Sequence, residues 1–186
     1  MAYKIAIIVG SLREGSLNRR VARSICAIRG DNLDCSMIEI GDLPLYNQDL
    51  DGNPPPQWVR FRDELRDKDG VLFVSPEYNR GIPGVLKNAL DWASRPFPDS
   101  VLRGKPVAVV GASTGLFGAV WAQAETRKVL GIIGADVIEH ELPVGQAETA
   151  FAEDGELVEA EQQQLLADLV RVLAARAGAE EARAAA

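Results

Sequence analysis

Five short apolar segments alternate with five longer amphipathic segments along the 186 residues, and this alternation constrains the fold more than any other feature. Continuous apolar segments are typical of strands buried on both faces of a parallel sheet, whereas apolar residues three and four apart indicate helices. The pattern predicts strands at 3–9, 35–40, 70–74, 105–110 and 135–139. It predicts helices at 18–29, 56–67, 83–94, 118–134 and 159–177.

A single domain accounts for the whole pattern, since no internal repeat and no linker divides it. Strands that alternate with amphipathic helices form a parallel sheet with helices on both faces. We therefore predict one α/β domain over 1–186 that ends in a frayed, alanine-rich tail at about 176–186. Ligands of such sheets bind beyond the carboxyl ends of the strands, where the strand order reverses. The loops of interest are therefore 10–18, 75–83 and 111–118.

Net charge and cysteine content exclude several classes of function. The formal charge is −7, whereas a nucleic-acid-binding protein needs a basic face, so no nucleic-acid partner is expected. Two cysteines without CxxC spacing and one histidine are too few for a zinc site, so we expect no metal and a structural or solvated His140. No apolar run approaches the ~20 residues that span a bilayer. With free thiols and no signal peptide, we expect a cytoplasmic protein with no membrane partner.

The loop after the first strand has the composition of an anion site. Ser11 and Ser16 offer hydroxyl groups, and Arg13 offers a forked cation. Asn18 offers an amide and is a candidate N-cap of the following helix, whose N-terminus adds N–H groups and partial positive charge. This set fits a phosphate monoester, although the loop has neither GxGxxG nor a Gly-Lys-Ser/Thr nucleotide motif. A polar turn with a good N-cap is the alternative interpretation.

The loop after the third strand, SPEYNRGIPG, has the composition of a surface for a flat ring. Pro76 and Pro83 restrict its backbone, so that its N–H and C=O groups can face a ligand at low entropic cost. Tyr78 offers an aromatic face, and Asn79 offers both a donor and an acceptor. The alternative is a rigid connector with Glu77 exposed to solvent. If the loop binds a ligand, we expect Glu77 to position it or to have no role, rather than to act as an acid.

Five segments together resemble the NADPH-dependent FMN reductase family, in particular its chromate and quinone reductase branch. They are GSLREGSLNRRVA, LPLYNQDLD, SPEYNRGIPGVLKNALDWASRP, GKPVAVVGASTGLFGA and ELPVG. The resemblance covers residues 3–173, and the first and third segments are specific in combination. It implies a flavodoxin-like three-layer α/β/α sandwich with a five-stranded parallel sheet of order 2-1-3-4-5.

The resemblance also implies a cofactor, FMN, bound without a covalent link, and NADPH or NADH as the hydride donor. In the first loop, the residues that it assigns to FMN binding, mainly around the phosphate, are Ser11, Arg13, Ser16, Leu17 and Asn18. In the second loop, the residues that it assigns to the isoalloxazine ring are Pro76, Glu77, Tyr78 and Asn79. From the third loop it assigns Ser113 and Gly115, with Gly118 in the same turn. No catalytic side chain is implied, because FMN itself carries the hydride.

The activity implied is oxidation of NAD(P)H and ping-pong transfer through FMN to quinones, chromate, free flavin or similar small electron acceptors. A homodimer or homotetramer is implied as well, with IPGVLKNALDWASRP at the dimer contact. Three alternatives are left open. The first is a flavodoxin-like electron carrier, and the second is a redox-sensing flavoprotein without its own NAD(P)H oxidase activity. The third is an α/β domain that binds a different phosphate ester.

Arg80 is a departure from many members of the family, which have an aromatic or small residue after PEYN. At the edge of the second loop, Arg80 is a candidate for binding the extra phosphate of NADPH or an anionic acceptor. An exposed arginine in a partial salt bridge is the alternative. Arg19 and Arg20, which follow the first loop, are interpreted as ordinary charges of a helix surface.

Overall fold

The computed structural model describes residues 2–28, 33–152 and 156–184. The strands are β1 Tyr3–Val9, β2 Leu33–Met37, β3 Gly70–Val74, β4 Pro106–Ala112, β5 Asp136–Val137 and β6 Pro143–Val144. The helices are α1 Leu17–Ile28, α2 Pro56–Arg66, α3 Gly84–Ala93, α4 Val120–Ile133 and α5 Ala160–Ala184. A short 3₁₀ turn that the sequence pattern did not predict covers Gln48–Leu50.

Five strands form a parallel sheet in the order β2-β1-β3-β4-β5, which confirms the predicted order. Helices α1 and α5 pack on one face of the sheet, and α2, α3 and α4 pack on the other, as expected for a three-layer sandwich. The order reverses between β1 and β3, which are direct neighbours. The loops that follow these two strands therefore lie next to each other at the carboxyl edge of the sheet.

The first strand shows how one apolar run serves two cores. Ile5, Ile7 and Val9 belong to the core under α1 and α5, whereas Ala6 and Ile8 belong to the core under the other three helices. Side chains of a strand point alternately to opposite faces, so a strand buried on both faces needs an apolar residue at every position. Each fully buried isoleucine stabilises the fold by ~1.5–3 kcal/mol.

A sixth strand, β6, lies beside the carboxyl end of β4 and was not predicted. Gly111 pairs with Pro143 and Ala112 with Val144, whereas β5 pairs only with the amino end of β4. A strand of two residues that begins with proline has no apolar run by which a sequence pattern can reveal it. The outer neighbour of β4 is therefore supplied in two pieces, and the second piece lies close to the loop after β4.

Two predicted strands are misplaced or too long. The second was predicted at 35–40 but occupies Leu33–Met37, and the fifth was predicted at 135–139 but is reduced to Asp136–Val137. Ile38 still donates its N–H to the Ile7 carbonyl at 3.0 Å, after which the chain leaves the sheet. Ile38 and Ile40 are nevertheless buried, so their apolar character reflects the core rather than a strand.

The last helix is longer than predicted. It was expected to end at 177, but α5 continues to Ala184, so the predicted end of the helix is wrong. The fraying expected at about 176–186 stays a prediction. Alanine has the highest helix propensity, which favours continuation through an alanine-rich segment. Ala177 is also buried against the core. Residues 185–186, and the predicted end of the first helix at 29, lie outside the described residues.

Candidate functional site

The loops after β1, β3 and β4 meet in a cleft of about 210 Å³ at the carboxyl edge of the sheet. The cleft is lined by Ser11, Arg13, Ser16, Leu17, Asn18, Pro76, Glu77, Tyr78, Ala112, Ser113 and Thr114. Nine of these are among the eleven residues that the sequence predicted for the cofactor. Asn79 and Gly115 do not line the cleft, and Ala112 and Thr114 were not predicted.

Ser16 caps α1, and the predicted N-cap Asn18 does not. The Ser16 hydroxyl oxygen accepts the N–H of Arg19 at 3.4 Å, and its carbonyl accepts the N–H of Arg20 at 3.3 Å. Serine is among the most favourable N-cap residues because its side-chain oxygen replaces a missing helical acceptor. The prediction chose the wrong residue because the helix begins at Leu17, one position earlier than expected.

Asn18 joins α1 to the carboxyl end of β4. Its amide nitrogen donates to the Ala112 carbonyl, its amide oxygen accepts the Ala112 N–H, and both distances are 2.9 Å. The side chain is buried, and 94 positions of sequence separate the two residues. Both polar atoms of the amide are therefore used within the protein. Asn18 lines the cleft, and its side chain also fixes the first loop against the third, while the amide nitrogen keeps a second N–H beyond its bond to Ala112.

Arg13 is the cation of the cleft lining. The side chain is exposed and donates to the Gly15 carbonyl at 2.9 Å, while the Arg13 N–H donates to the buried Ser11 hydroxyl at 3.4 Å. Arg19 pairs instead with Glu39, and Arg20 lies 4.7 Å above the Phe151 ring, which confirms that both belong to the helix surface. Positive charge at this end of the cleft therefore comes from Arg13 and from the N-terminus of α1.

The second loop contains a tight turn from Tyr78 to Gly81. These two residues exchange backbone hydrogen bonds at 3.2 and 3.1 Å. The two residues between them have φ angles of 54° and 60°, as in a type I′ turn. Asn79 occupies the first of these positions, and asparagine tolerates the left-handed region. Asn79 is exposed and does not line the cleft. Tyr78 is 53% exposed, so its ring forms part of an open rim.

Glu77 connects the second loop to the N-terminus of α4. Its Oε2 accepts the N–H groups of Trp121 and Ala122 at 3.1 and 3.2 Å. Ala119, at the N-cap position, provides no side-chain cap and has a φ of 63°. The carboxylate of Glu77 thus satisfies helical donors that the local sequence leaves without an acceptor. The contact positions α4 relative to the loop, and a role of Glu77 toward a ligand stays a prediction.

A carboxylate of α4 in turn accepts a hydrogen bond from the second loop. Glu125, one turn further along α4, accepts the N–H of Ile82 through Oε2 at 2.9 Å. A carboxylate of the loop therefore accepts N–H groups of the helix, and a carboxylate of the helix accepts an N–H group of the loop. Sequence reasoning missed Glu125 because it is separated from Ile82 by 43 positions and belongs to no local motif.

The third loop is held by the segment that forms β6. Ser113 donates its N–H to the Val144 carbonyl at 3.0 Å, and the Gly115 carbonyl accepts the N–H of Gln146 at 3.0 Å. A Cβ on Gly118, where φ is +55°, would lie 2.5 Å from the carbonyl carbon of Pro143. Glycine is therefore required by close backbone approach. The carbonyl of Gly115 points to this segment, which is consistent with the absence of Gly115 from the cleft lining.

His140 lies outside the cleft, after β5. Its Nε2 is buried without a hydrogen-bond partner in the described structure. Within residues 2–28, 33–152 and 156–184, no group of three or more His, Cys, Asp or Glu side chains is arranged to hold a metal ion. None of the helices described is long and apolar enough to cross a membrane.

The sheet order and the position of the cleft are those of the flavodoxin-like fold. A solved flavodoxin from the domain Archaea aligns with a TM-score of 0.60 over 94% of this chain and 99% of its own, at 15% identity. At that identity the likeness shows the fold alone. The alignment confirms the predicted architecture but does not identify the reaction.

The model of the family "NADPH-dependent FMN reductase" matches residues 3–149. A quinone reductase of Pseudomonas putida is 46% identical over 157 residues, 83% of this chain and 84% of that protein. A 2-hydroxy-1,4-benzoquinone reductase of Burkholderia is 48% identical over 129 residues, 69% of this chain and 70% of that protein. The chain belongs to the NADPH-dependent FMN reductase family, and it is an NAD(P)H-dependent flavoenzyme that uses FMN.

A solved structure agrees with this assignment. The flavoenzyme NAD(P)H:(acceptor) oxidoreductase FerB from Paracoccus denitrificans aligns with a TM-score of 0.85, at 36% identity, over 95% of this chain and 98% of its own. The similarity to this enzyme is greater than that to the flavodoxin. It favours the reductase over the electron-carrier alternative.

The donors of the cleft fit FMN. One end combines the hydroxyls of Ser11 and Ser16, the Arg13 guanidinium and the N-terminus of α1, all of which suit a phosphate monoester. The other end combines the stiff backbone after Pro76 with the exposed ring of Tyr78, which suits a flat heterocycle. Glu77 is the carboxylate of the lining, and its Oε2 is bound to the backbone of α4.

Proposed function

We propose that FMN lies in this cleft with its phosphate at the N-terminus of α1, and that the protein passes hydride from NAD(P)H to quinones. The observation that carries the proposal is the cleft lining itself. Three loops distant in sequence bring nine predicted residues together, with one cation at the end where the phosphate is expected. The alternative interpretation, a polar turn after β1 without a ligand, does not explain why the second and third loops add predicted cofactor residues to the same cleft.

The residues of the cleft bind and orient, and they leave the redox chemistry to the cofactor. Arg13 and the two serine hydroxyls would hold the phosphate, and the backbone of the second loop would fix the ring. When bound, FMN supplies the hydride-transfer chemistry. No general base is needed for hydride transfer between stacked rings, which is consistent with the location of His140 outside the cleft.

Quinones are proposed as acceptors because of the relatives. Proteins 46% and 48% identical to this chain are a quinone reductase and a 2-hydroxy-1,4-benzoquinone reductase. A ping-pong order requires a rim to which donor and acceptor have access in turn, and the exposure of Tyr78 supports such a rim. Such a site also accommodates other oxidants, and we include chromate and free flavin among the proposed acceptors.

A homodimer or homotetramer in the cytoplasm is proposed for the assembled protein. Tyr78, Leu116 and Phe117 are 53%, 70% and 60% exposed, and Trp121 nearby is 38% exposed. Large exposed apolar side chains concentrated in one region are typical of an interaction surface. The dimer contact is proposed for a separate segment, IPGVLKNALDWASRP around α3, on the resemblance to the family alone.

An anaerobic spectrum tests the function. The purified protein is expected to be yellow, to lose its absorbance near the visible flavin band on addition of NADPH or NADH, and to regain it with a quinone. Protein that is colourless and does not take up FMN would contradict the cofactor site. Yellow protein that neither nucleotide bleaches would instead favour an electron carrier or a redox sensor.

A further inference from the structure

We propose that Arg80 is a second anion-recognition residue, which binds the negative charge of a substrate at the rim of the second loop. The ligand chemistry is a phosphate or oxyanion, supplied either by the 2′-phosphate of NADPH or by an anionic electron acceptor. The inference rests on the proposed function, since it concerns what enters beside the cofactor. It concerns a different ligand from the one proposed for Arg13, which lines the phosphate end of the cleft.

The backbone fixes where Arg80 can reach. It occupies the second left-handed position of the turn between Tyr78 and Gly81, with a φ of 60°. The turn is closed by two backbone hydrogen bonds. Its flanks are tied to α4 through the carboxylates of Glu77 and Glu125. The turn therefore fixes the position of the Arg80 backbone, two residues after Tyr78, whose side chain lines the cleft.

The side chain is also held in place. The guanidinium carbon lies 4.9 Å from the centroid of the Trp121 ring, a typical cation–π arrangement. Phe117 meets the same indole edge-on, with ring centroids 5.3 Å apart. A guanidinium over a ring interacts through its charge, so its N–H donors are not consumed by this contact. The geometry therefore presents donors while restricting the long side chain.

Arg80 forms no ion pair with another side chain in the part of the chain that the structure describes. No carboxylate oxygen there lies within 4.0 Å of its guanidinium, whereas Arg19, Arg60 and Arg127 each have such a partner. The two carboxylates that join the loop to α4 accept backbone N–H groups instead.

An exposed cation therefore stands at the rim of a protein with a net charge of −7. The wider field opposes the approach of anions, so local positive charge has a large influence on which of them bind. A forked guanidinium suits the oxygens of phosphate, chromate or a sulfonated quinone. NADH and neutral quinones carry no corresponding group for Arg80, and they serve as internal references.

Arg80→Asn tests the proposal. Asparagine removes the charge and suits the left-handed turn, so the backbone is expected to remain intact. Arg23→Ala is the matched control, because Arg23 is an exposed arginine on α1 and its replacement changes the net charge equally. Retention of FMN absorbance and an unchanged thermal midpoint verify that both variants are folded.

The first measurement is binding. Titration of the FMN-loaded proteins with adenosine 2′,5′-bisphosphate and with 5′-AMP compares ligands with and without a 2′-phosphate. The second measurement is steady-state KM for NADPH, NADH, a sulfonated quinone and its neutral parent. In Arg80→Asn we expect a roughly tenfold weakening for the anion that Arg80 recognises, as for loss of a charge-assisted contact, and no change for the matched compound that lacks the 2′-phosphate or the sulfonate.

The two arms separate the sources of the anion. Weaker binding of the bisphosphate and a higher KM for NADPH alone identify the 2′-phosphate, whereas a higher KM for the sulfonated quinone alone identifies the acceptor. Ratios within twofold of wild type in both arms overturn the proposal. This failure is distinct from failure of the proposed function, in which the wild-type protein itself is not reduced by either nucleotide.

Discussion

The first and second loops of the cleft are held by different means. The first is fixed by buried side chains of its own region: Ser16 caps the helix that follows it, and Asn18 bonds to both backbone groups of Ala112. The second is exposed along Tyr78, Asn79 and Arg80, and it is tied to α4 by two carboxylates. The first loop is thus anchored by buried side chains at both of its ends, although residues 12–15 between them are exposed, whereas the second is anchored to α4 at its flanks.

The difference corresponds to what each loop is proposed to do. A phosphate site needs donors held at fixed positions, and burial of the supporting groups provides this. A rim that admits several substrates in turn has to remain open, so its support comes from outside the cleft. The comparison can be tested by removing one support at a time, beginning with the one that is most deeply buried.

Removal of Asn18 should have the largest effect on stability. Asn18→Ala leaves the N–H and C=O groups of buried Ala112 without partners, and we expect a loss of about 2–4 kcal/mol in the free energy of unfolding. Urea denaturation of the FMN-free protein measures this loss. Asn53→Ala, at an exposed turn, is the control and should remain within about 0.5 kcal/mol of wild type. An equally small change for Asn18→Ala would show that its buried amide does not anchor the first loop.

Removal of Arg13 should affect the cofactor rather than the fold. Its side chain is exposed, so Arg13→Ala should change unfolding by no more than about 0.5 kcal/mol. Loss of a charge-assisted contact to phosphate should weaken FMN binding by ~1.5–3 kcal/mol. Fluorescence titration of the FMN-free protein measures the dissociation constant, with Arg23→Ala as the charge-matched control. Equal affinities in the two variants would argue against the phosphate assignment.

Removal of Glu77 should have the smallest effect, confined to the second loop and α4. Glu77→Ala takes the acceptor from two N–H groups at the N-terminus of α4, and we expect a loss of about 1 kcal/mol, as for an N-cap. Hydrogen exchange should accelerate at Trp121 and Ala122 but not in the first turn of α1. Glu148→Gln, at an exposed position, controls for the change in charge. Unchanged exchange in α4 would show that the carboxylate does not hold the two elements together.

The sheet and the first loop could be predicted because their signals are local. Apolar runs identify strands such as β1 and β3, whose predicted bounds match the structure. Hydroxyl residues before a helix indicate a capped anion site, although the capping residue is Ser16 rather than Asn18. The resemblance to a family then placed the second loop beside the first, and the strand order confirms that arrangement.

The missed features are those that depend on distant partners. The pairing of Glu125 with Ile82 and that of Asn18 with Ala112 span 43 and 94 positions, and neither is contained in a local pattern. The same reason explains β6, which exists because β4 provides a partner for Pro143 and Val144. Ile38 and Ile40 show the converse error, since burial of a loop produces the apolar alternation expected of a strand.

The division of the outer neighbour of β4 into β5 and β6 has a consequence for aggregation. A long, regular edge strand offers a continuous row of unpaired N–H and C=O groups to which another chain can add. Here the outer strand at this edge has two residues, and the chain turns away before β6 pairs further along β4. This edge is therefore a poor template for sheet extension between molecules. A substitution that lengthened β5 into a regular strand would remove that protection.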